Sequence, residues 1–372
     1  MICGPCLFPN GRTISYMAIF DGINGGEMSQ WLQENAGLAM IGAMSDLYHE
    51  TAEAMKDQAD SEEEGDSIPV SDLEPSREAF HETMKATFLR LEEDLIPPDY
   101  TMASRNPEQV PLCAEGGASA MFAWYDPRTQ LLRVANAGSC QAVLARQRKD
   151  SKGKIHYNVE IVSGPQTIQN DRAQFEAKHP GEFNQFNSSS PMRLSRVMGL
   201  GQHKWNMDMQ EKLLEHRLGS PIPDYIRTPP YATAEPEIST LQIQKGDFLI
   251  LGSQGFWESL TSDEAVGLVQ LWLQNPKHSV QAGQAKDGVV VTVPTVDVTG
   301  FSKTISPKSL PHASKGTTDS TIAYKKWNAE KNFVDVDSSI ATHLLRNALG
   351  GADQDLTRWL LTLQSPRSHA WR

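Results

Sequence analysis

Residues 16–22 read Tyr16-Met17-Ala18-Ile19-Phe20-Asp21-Gly22, a short apolar run closed by an Asp-Gly pair, which is the pattern of a strand entering a turn. Working outward from it, Ser119 to Tyr125, Leu131 to Asn136, Gln141 to Arg146 and Ile155 to Val162 are short segments rich in apolar and β-branched residues. Asp-Pro or Gly signals separate them, as in an antiparallel meander. Phe248 to Leu251 is a further buried strand. Helical spacing marks the flanks. From Glu27 to about Lys56 the residues Trp31, Leu32, Leu38, Ile41, Met44, Leu47 and Met55 share one helical repeat, interrupted near Gly37 or Gly42, which makes one long helix or two. Ser76 to Leu95 is a second helix, opened by Pro75-Ser76 and closed by Pro97-Pro98. Ser262 to Leu273, Ile340 to Leu349 and Leu356 to Leu363 complete the helical set. Helices flanking antiparallel strands give an α+β fold with sheet-on-sheet packing.

At 372 residues the chain can bury a sizeable core without disulfides or structural metals. Lys+Arg 34 against Asp+Glu 46 leaves a net charge of -12, which repels nucleic acid and anionic membrane surfaces. No apolar run approaches the roughly 20 residues that span a bilayer. Met1 to Tyr16 has the pattern of neither a signal peptide nor an Arg-rich transit peptide. Cys3-Gly4-Pro5-Cys6 has thioredoxin-like spacing, but that chemistry needs a preceding strand to place the pair at a helix N-terminus, and none precedes it. A zinc site joining this pair to Cys113 and Cys140 lacks ligand spacing. Four cysteines in this length indicate a reducing compartment. Residues 1–372 read as one domain with two insertions. Residues 57–74 form an acidic loop, and residues 279–316 a flexible Gly/Ser/Thr/Pro/Lys-rich one with a β-like run at Val289 to Val293.

Five segments in order resemble the type 2C, metal-dependent Ser/Thr phosphatases. Met17-Ala18-Ile19-Phe20-Asp21-Gly22 is similar to the strand and turn opening the family's Asp-Gly-His-Ala-Gly motif, and Gly117-Ala118-Ser119-Ala120 to its Gly-Ser-Thr-Ala strand start. Val134-Ala135-Asn136-Ala137-Gly138 resembles Ala-Asn-Val-Gly-Asp-Ser-Arg, and Ser195-Arg196-Val197-Met198-Gly199 resembles Ser/Thr-Arg-Ala-Phe-Gly-Asp. Phe248 to Glu258 looks like Phe-Leu-Ile-Leu-Ala-Ser-Asp-Gly-Leu-Trp-Asp/Glu. His179-Pro180-Gly181-Glu182, the stretch Pro229 to Glu237, and Ala341 to Ala348 resemble the pyruvate dehydrogenase phosphatase branch. The resemblance implies a central antiparallel β-sandwich flanked by helices with a metal cleft at one end. It also implies Mg²⁺ or Mn²⁺ as cofactor and a mitochondrial location; with no presequence visible, the cytoplasm is the alternative.

Such enzymes are implied to work through two divalent cations that activate a bridging water. Hard cations of this kind need several carboxylates. Asp21 and the carbonyl of Gly22 fall on the family's bridging ligand pair. Ile23 stands at the motif's His, Ser139 and Gln141 at the Asp and Arg of Gly-Asp-Ser-Arg, and Gln254 at the Asp of Ser-Asp-Gly-Leu-Trp. Leu200 takes the acidic position after Gly199, and Pro165-Gln166 the family's Asp-His pair. Each change replaces a charged or ionisable group with a neutral one. The family's leading strand, with its Arg and Glu-Asp, and its terminal Asp-Asp strand are expected to be missing. A competing register places the terminal motif at Thr318-Asp319-Ser320-Thr321-Ile322, but the His343 and Arg346 segment precedes that motif in this branch and here follows Asp319.

The expectation is therefore the fold without the catalysis, with at most weak binding of one cation at Asp21. Such a protein would bind or regulate a phosphoprotein or an active paralogue. An active phosphatase recruiting Asp319 or Glu258 is the alternative. A third reading is an oligomer built through strand edges left open by the missing strands.

Overall fold

The computed structural model describes residues 2–8, 11–59, 74–190, 193–275, 304–311, 321–364 and 367. In chain order the elements are β1 (Ile2–Leu7), β2 (Thr13–Ile23), α1 (Glu27–Ala59), α2 (Arg77–Leu95), α3 (Tyr100–Arg105), α4 (Val110–Glu115), β3 (Gly117–Asp126), β4 (Leu131–Ala137), β5 (Gln141–Lys149) and β6 (Ile155–Ser163). They continue as α5 (Arg172–Lys178), α6 (Phe183–Ser189), β7 (Met198–Gly199), α7 (Met207–Glu215), β8 (Glu237–Gln242), β9 (Phe248–Gly252), α8 (Gln254–Ser259) and α9 (Ser262–Gln274). The last are α10 (Ile322–Trp327), α11 (Ile340–Ala348) and α12 (Gln354–Thr362). The fold is α+β, with antiparallel strand pairing and flanking helices, as the sequence pattern requires. The chain divides into two compact units, Met1–Cys140 with Ser163–Ile243 and Gln141–Val162 with Gln244–Arg372.

The first unit holds the six-stranded sheet, in the order β1-β2-β3-β4-β8 with β7 added to β3. Its pairings are antiparallel throughout. β3 is buried along nearly its whole length because β2 and β4 flank it and helices cover it. α1 runs unbroken through Gly37 and Gly42. The reason is packing: Leu32, Ala36, Met40 and Met44 form a buried stripe along it, and tertiary burial outweighs the roughly 1 kcal/mol each glycine costs a helix. α2 begins where Ser76 caps it, its side chain accepting from the Ala79 N–H at 3.1 Å. Phe80, Met84 and Phe88 of α2 are fully buried, and Phe88 meets Phe122 of β3 edge-on at 5.7 Å. Each such side chain contributes about 2 kcal/mol by leaving water.

β1 was not anticipated from the sequence. Among the described strands it sits at the sheet edge, paired with β2, and Pro5 suits an edge because a missing N–H costs nothing there. The Cys3-Gly4-Pro5-Cys6 backbone is thus a strand rather than a helix start. A smaller aromatic cluster of Ile168, Phe175, Phe183, Phe186, Ile226 and Tyr231 gathers α5, α6 and the segment before β8.

The acidic segment is described only at its two ends. α1 extends to Ala59, and Glu74 pairs with two arginines. Arg12 lies 2.6 Å from both Glu74 and Asp126, and Arg133 also donates to Glu74. Within 279–316, residues 304–311 are described: Ile305 bridges to Phe333 and Leu310 is buried. Val289 to Val293 and Asp319 lie outside the described residues.

The second unit holds β6-β5-β9, with β5 and β9 antiparallel. Its core joins Val143, Ile250, Val266, Val269, Phe333 and Leu344. α9 starts with a capping box in which Thr261 and Glu264 satisfy each other's backbone N–H groups. Arg346 of the Ala341 to Ala348 stretch holds Asp337 through two bonds of 2.7 and 2.8 Å.

Candidate functional site

β2 carries Asp21 and Gly22 to the end of the sheet, where their backbones lie opposite Ser119 and Ala118 of β3. Asp21 is half-buried. Gly22 is required by the turn that follows: a Cβ there would fall 2.3 Å from the Gly25 carbonyl oxygen. The plain turn reading of this pair is therefore satisfied in full, whatever else Asp21 does.

The residue after the pair points elsewhere. Ile23 packs against the buried cluster of Leu194, Val197 and Leu200, with Ala232 beside it. Two of the substituted positions, Ile23 and Leu200, thus share one apolar cluster. Leu200 is buried at 1% exposure and held in the left-handed region at φ 56° and ψ 55°. That conformation is costly for a branched apolar side chain, by about 1 kcal/mol or more. Neighbouring bonds impose it: the Leu200 N–H donates to the Gly116 carbonyl at 2.8 Å, and the Gly199 N–H donates to Glu92 Oε2 at 2.8 Å. Glu92 also accepts from Lys204, whose Nζ donates to the Val197 carbonyl at 2.6 Å. Burial lowers the Lys204 pKa, and Glu92 opposes that shift.

Ser139 bonds to Ser119, the residue across the sheet from Asp21. Its N–H donates to Ser119 Oγ at 2.9 Å, and the two hydroxyls lie 2.9 Å apart. Gly138 makes this closure possible, because at φ +138° a Cβ would lie 2.3 Å from Ser119 Oγ and 2.7 Å from its Cα. Gln166 locks the same turn. Its Oε1 accepts from the Gly138 N–H at 3.1 Å, its own N–H donates to the Gly138 carbonyl at 2.9 Å, and its Nε2 donates to Glu237 at 3.0 Å. The Cys140 thiol, fully buried, has its pKa raised by burial and further by the Asp21 charge, so it stays neutral.

Gln254 belongs to the second unit, at the first position of α8, where its Nε2 donates to Glu258 Oε1 at 2.7 Å. Gln141, in the same unit, donates to Ser262 Oγ at 3.1 Å. Arg196 donates to the Glu235 carbonyl at 2.5 Å.

Among the described residues the donor set around Asp21 does not fit a pair of hard divalent cations. Asp21 brings one carboxylate, Ser119 and Ser139 bond to each other, and Ile23 and Leu200 offer no ligand atom. Among the described residues no group of three or more His, Cys, Asp or Glu side chains is placed to hold a metal ion. What sequence reasoning missed is that the substituted positions are taken up by the fold, Ser139 through Ser119, Gln166 through Gly138, and Ile23 and Leu200 through one apolar cluster. The gathering of Ile23 and Leu200, distant in the chain, into one cluster has no local signal.

Residues 10–286 match the Protein phosphatase 2C family. A protein phosphatase 2C homolog of Schizosaccharomyces pombe is 27% identical over 375 residues, covering 96% of this chain and 71% of that protein. The mitochondrial pyruvate dehydrogenase (acetyl-transferring) phosphatase 1 of Saccharomyces cerevisiae is 26% identical over 307 residues, 77% of this chain and 50% of that one. Its human counterpart is 25% identical over 257 residues, 64% of this chain and 41% of that protein. The chain thus spans half or less of the length of these two mitochondrial phosphatases.

Proposed function

Since the chain belongs to the protein phosphatase 2C family, we propose that it is a non-catalytic member, a module that binds or regulates a phosphoprotein or an active paralogue. The observation that carries this reading is the apolar contact of Ile23 with the Leu200 cluster, which puts hydrocarbon where the family is implied to need a His and an acid. The Ser119–Ser139 bond supports it from the other side, because those hydroxyls are spent on the fold. Asp21 alone would hold a hydrated cation only weakly. The alignment over 96% of the chain supports treating 1–372 as one phosphatase-like domain, and the composition of 57–74 and 279–316 supports reading those stretches as insertions. The mitochondrial names of relatives support a mitochondrial location, which fractionation of the tagged protein would contradict by finding it only in the cytosol.

The test is metal-dependent turnover. Purified protein with millimolar Mn²⁺ or Mg²⁺ is expected to hydrolyse neither p-nitrophenyl phosphate nor a phosphoserine peptide above the buffer rate. Mn²⁺-dependent turnover that disappears in Asp21→Asn would sink the proposal and favour an active phosphatase.

A further inference from the structure

Two of the stretches that mark the pyruvate dehydrogenase phosphatase-like branch, together with Ser195-Arg196, come together around a cavity of about 410 Å³. One wall is a face of α5 and its flanks: Asp171, Phe175, Lys178 and His179. Arg196, Tyr231 and Glu235 also line the cavity. The volume is in the range of small-molecule sites.

The rim carries charges of both signs, but only the acids have found charged or hydroxyl donors. Asp171 accepts from the Ser195 hydroxyl, and the Glu235 carboxylate lies 3.1 Å from Lys85. Arg196 donates to a main-chain carbonyl, and neither it nor the exposed Lys178 has a carboxylate partner among the described residues. His179 adds no charge, since burial lowers its pKa and Thr228 Oγ1 lies 2.8 Å from its Nδ1. The floor is apolar and rigid: the Phe175 and Tyr231 rings stack at 5.8 Å and 18°, and the Tyr231 hydroxyl is tied to Glu182 at 2.6 Å. Each ring is 5% exposed and fixed by its neighbours, so the part that lines the cavity is held there at little entropic cost.

We propose that this cavity binds a small organic anion, a carboxylate or phosphate monoester with an apolar body, the anion seated between Lys178 and Arg196 and the body on the Phe175–Tyr231 floor. The site needs no metal and no turnover, so it stands apart from the catalytic question.

The test is calorimetric titration of the whole protein in EDTA with benzylphosphonate, phenylacetate, benzyl alcohol and inorganic phosphate. At least one of the two aromatic anions is expected to bind saturably, with benzyl alcohol and inorganic phosphate each weaker. Lys178→Ala and Arg196→Ala should each weaken that binding about tenfold or more, as loss of a charge-assisted hydrogen bond does. Lys178 is exposed, so its variant keeps the fold even if Arg196→Ala does not. Absence of saturable binding by both aromatic anions at millimolar concentration would overturn the proposal. So would benzyl alcohol binding as tightly as the anions, or Lys178→Ala leaving the affinity unchanged.

Discussion

Restoring an acid at residue 200 probes the site most directly. Leu200→Asp removes a side chain exposed by only 1% and packed on Leu194, Val197 and Ile23, which costs about 2 kcal/mol of lost burial. The new carboxyl group enters an apolar cluster, and the nearby Lys204 ammonium is already engaged by Glu92 and the Val197 carbonyl. Protonation would relieve part of the penalty, leaving about 3 kcal/mol. The backbone at φ 56° works the other way, because Asp tolerates the left-handed region better than Leu and returns about 1 kcal/mol. The net expectation is a loss of about 4 kcal/mol, with Leu200→Asn, which carries no charge, losing about half as much. Urea unfolding followed by tryptophan fluorescence, with and without millimolar MnCl₂, measures both. A loss below about 1 kcal/mol would mean that residue 200 faces an open cleft rather than a packed cluster. Saturable recovery of stability by Mn²⁺ would mean that a cation site survives around Asp21, and the non-catalytic reading would fall with it.

Acid sensitivity should centre on His203, whose pKa is lowered to about 4 by burial first and by the Lys204 charge second. Between pH 6.5 and about 4 the unfolded chain takes up a proton there that the folded chain refuses. Stability therefore falls as pH drops through that window, by about 3 kcal/mol in full. His203→Gln should flatten this dependence in denaturation curves at pH 5 and pH 7, and an unchanged slope would count against it. At the acidic segment's end, Glu74→Ala would remove the carboxylate shared by Arg12 and Arg133, each 1% exposed, while Asp126 still pairs with Arg12. A loss of about 3 kcal/mol is expected by thermal or urea unfolding, and a wild-type melt would contradict the pairing.

Much of the fold was legible because its signals are local. Alternating or continuous apolar runs placed β2 to β6 and β9 within a few residues, and Pro75-Ser76 marked the start of α2 through a cap that the structure shows. The short elements α3, α4, α7 and α8 and the edge strand β1 were not legible. Segments of six to nine residues with mixed patterning owe their form to what they pack on. Glu74 shows the same limit. Within an acidic, Ser- and Gly-containing stretch it reads as a solvated loop residue, and only the fold brings two buried arginines to it.

By itself the sequence determined the family and the roster of substitutions at the expected ligand positions, because motif identity and charge are properties of residues taken one at a time. Only the tertiary structure decided what those residues do instead. Ile23 and Leu200 are 177 positions apart, and Ser119 and Ser139 belong to different segments, so their contacts exist only once β2, β3 and the turn after β4 have been brought together. The same holds for the anion cavity, whose cations come from α5 and from the segment before β7. Composition counts charges, but which of them find partners is settled by packing, because an ion pair depends on a few ångströms of distance that no spacing along the chain encodes.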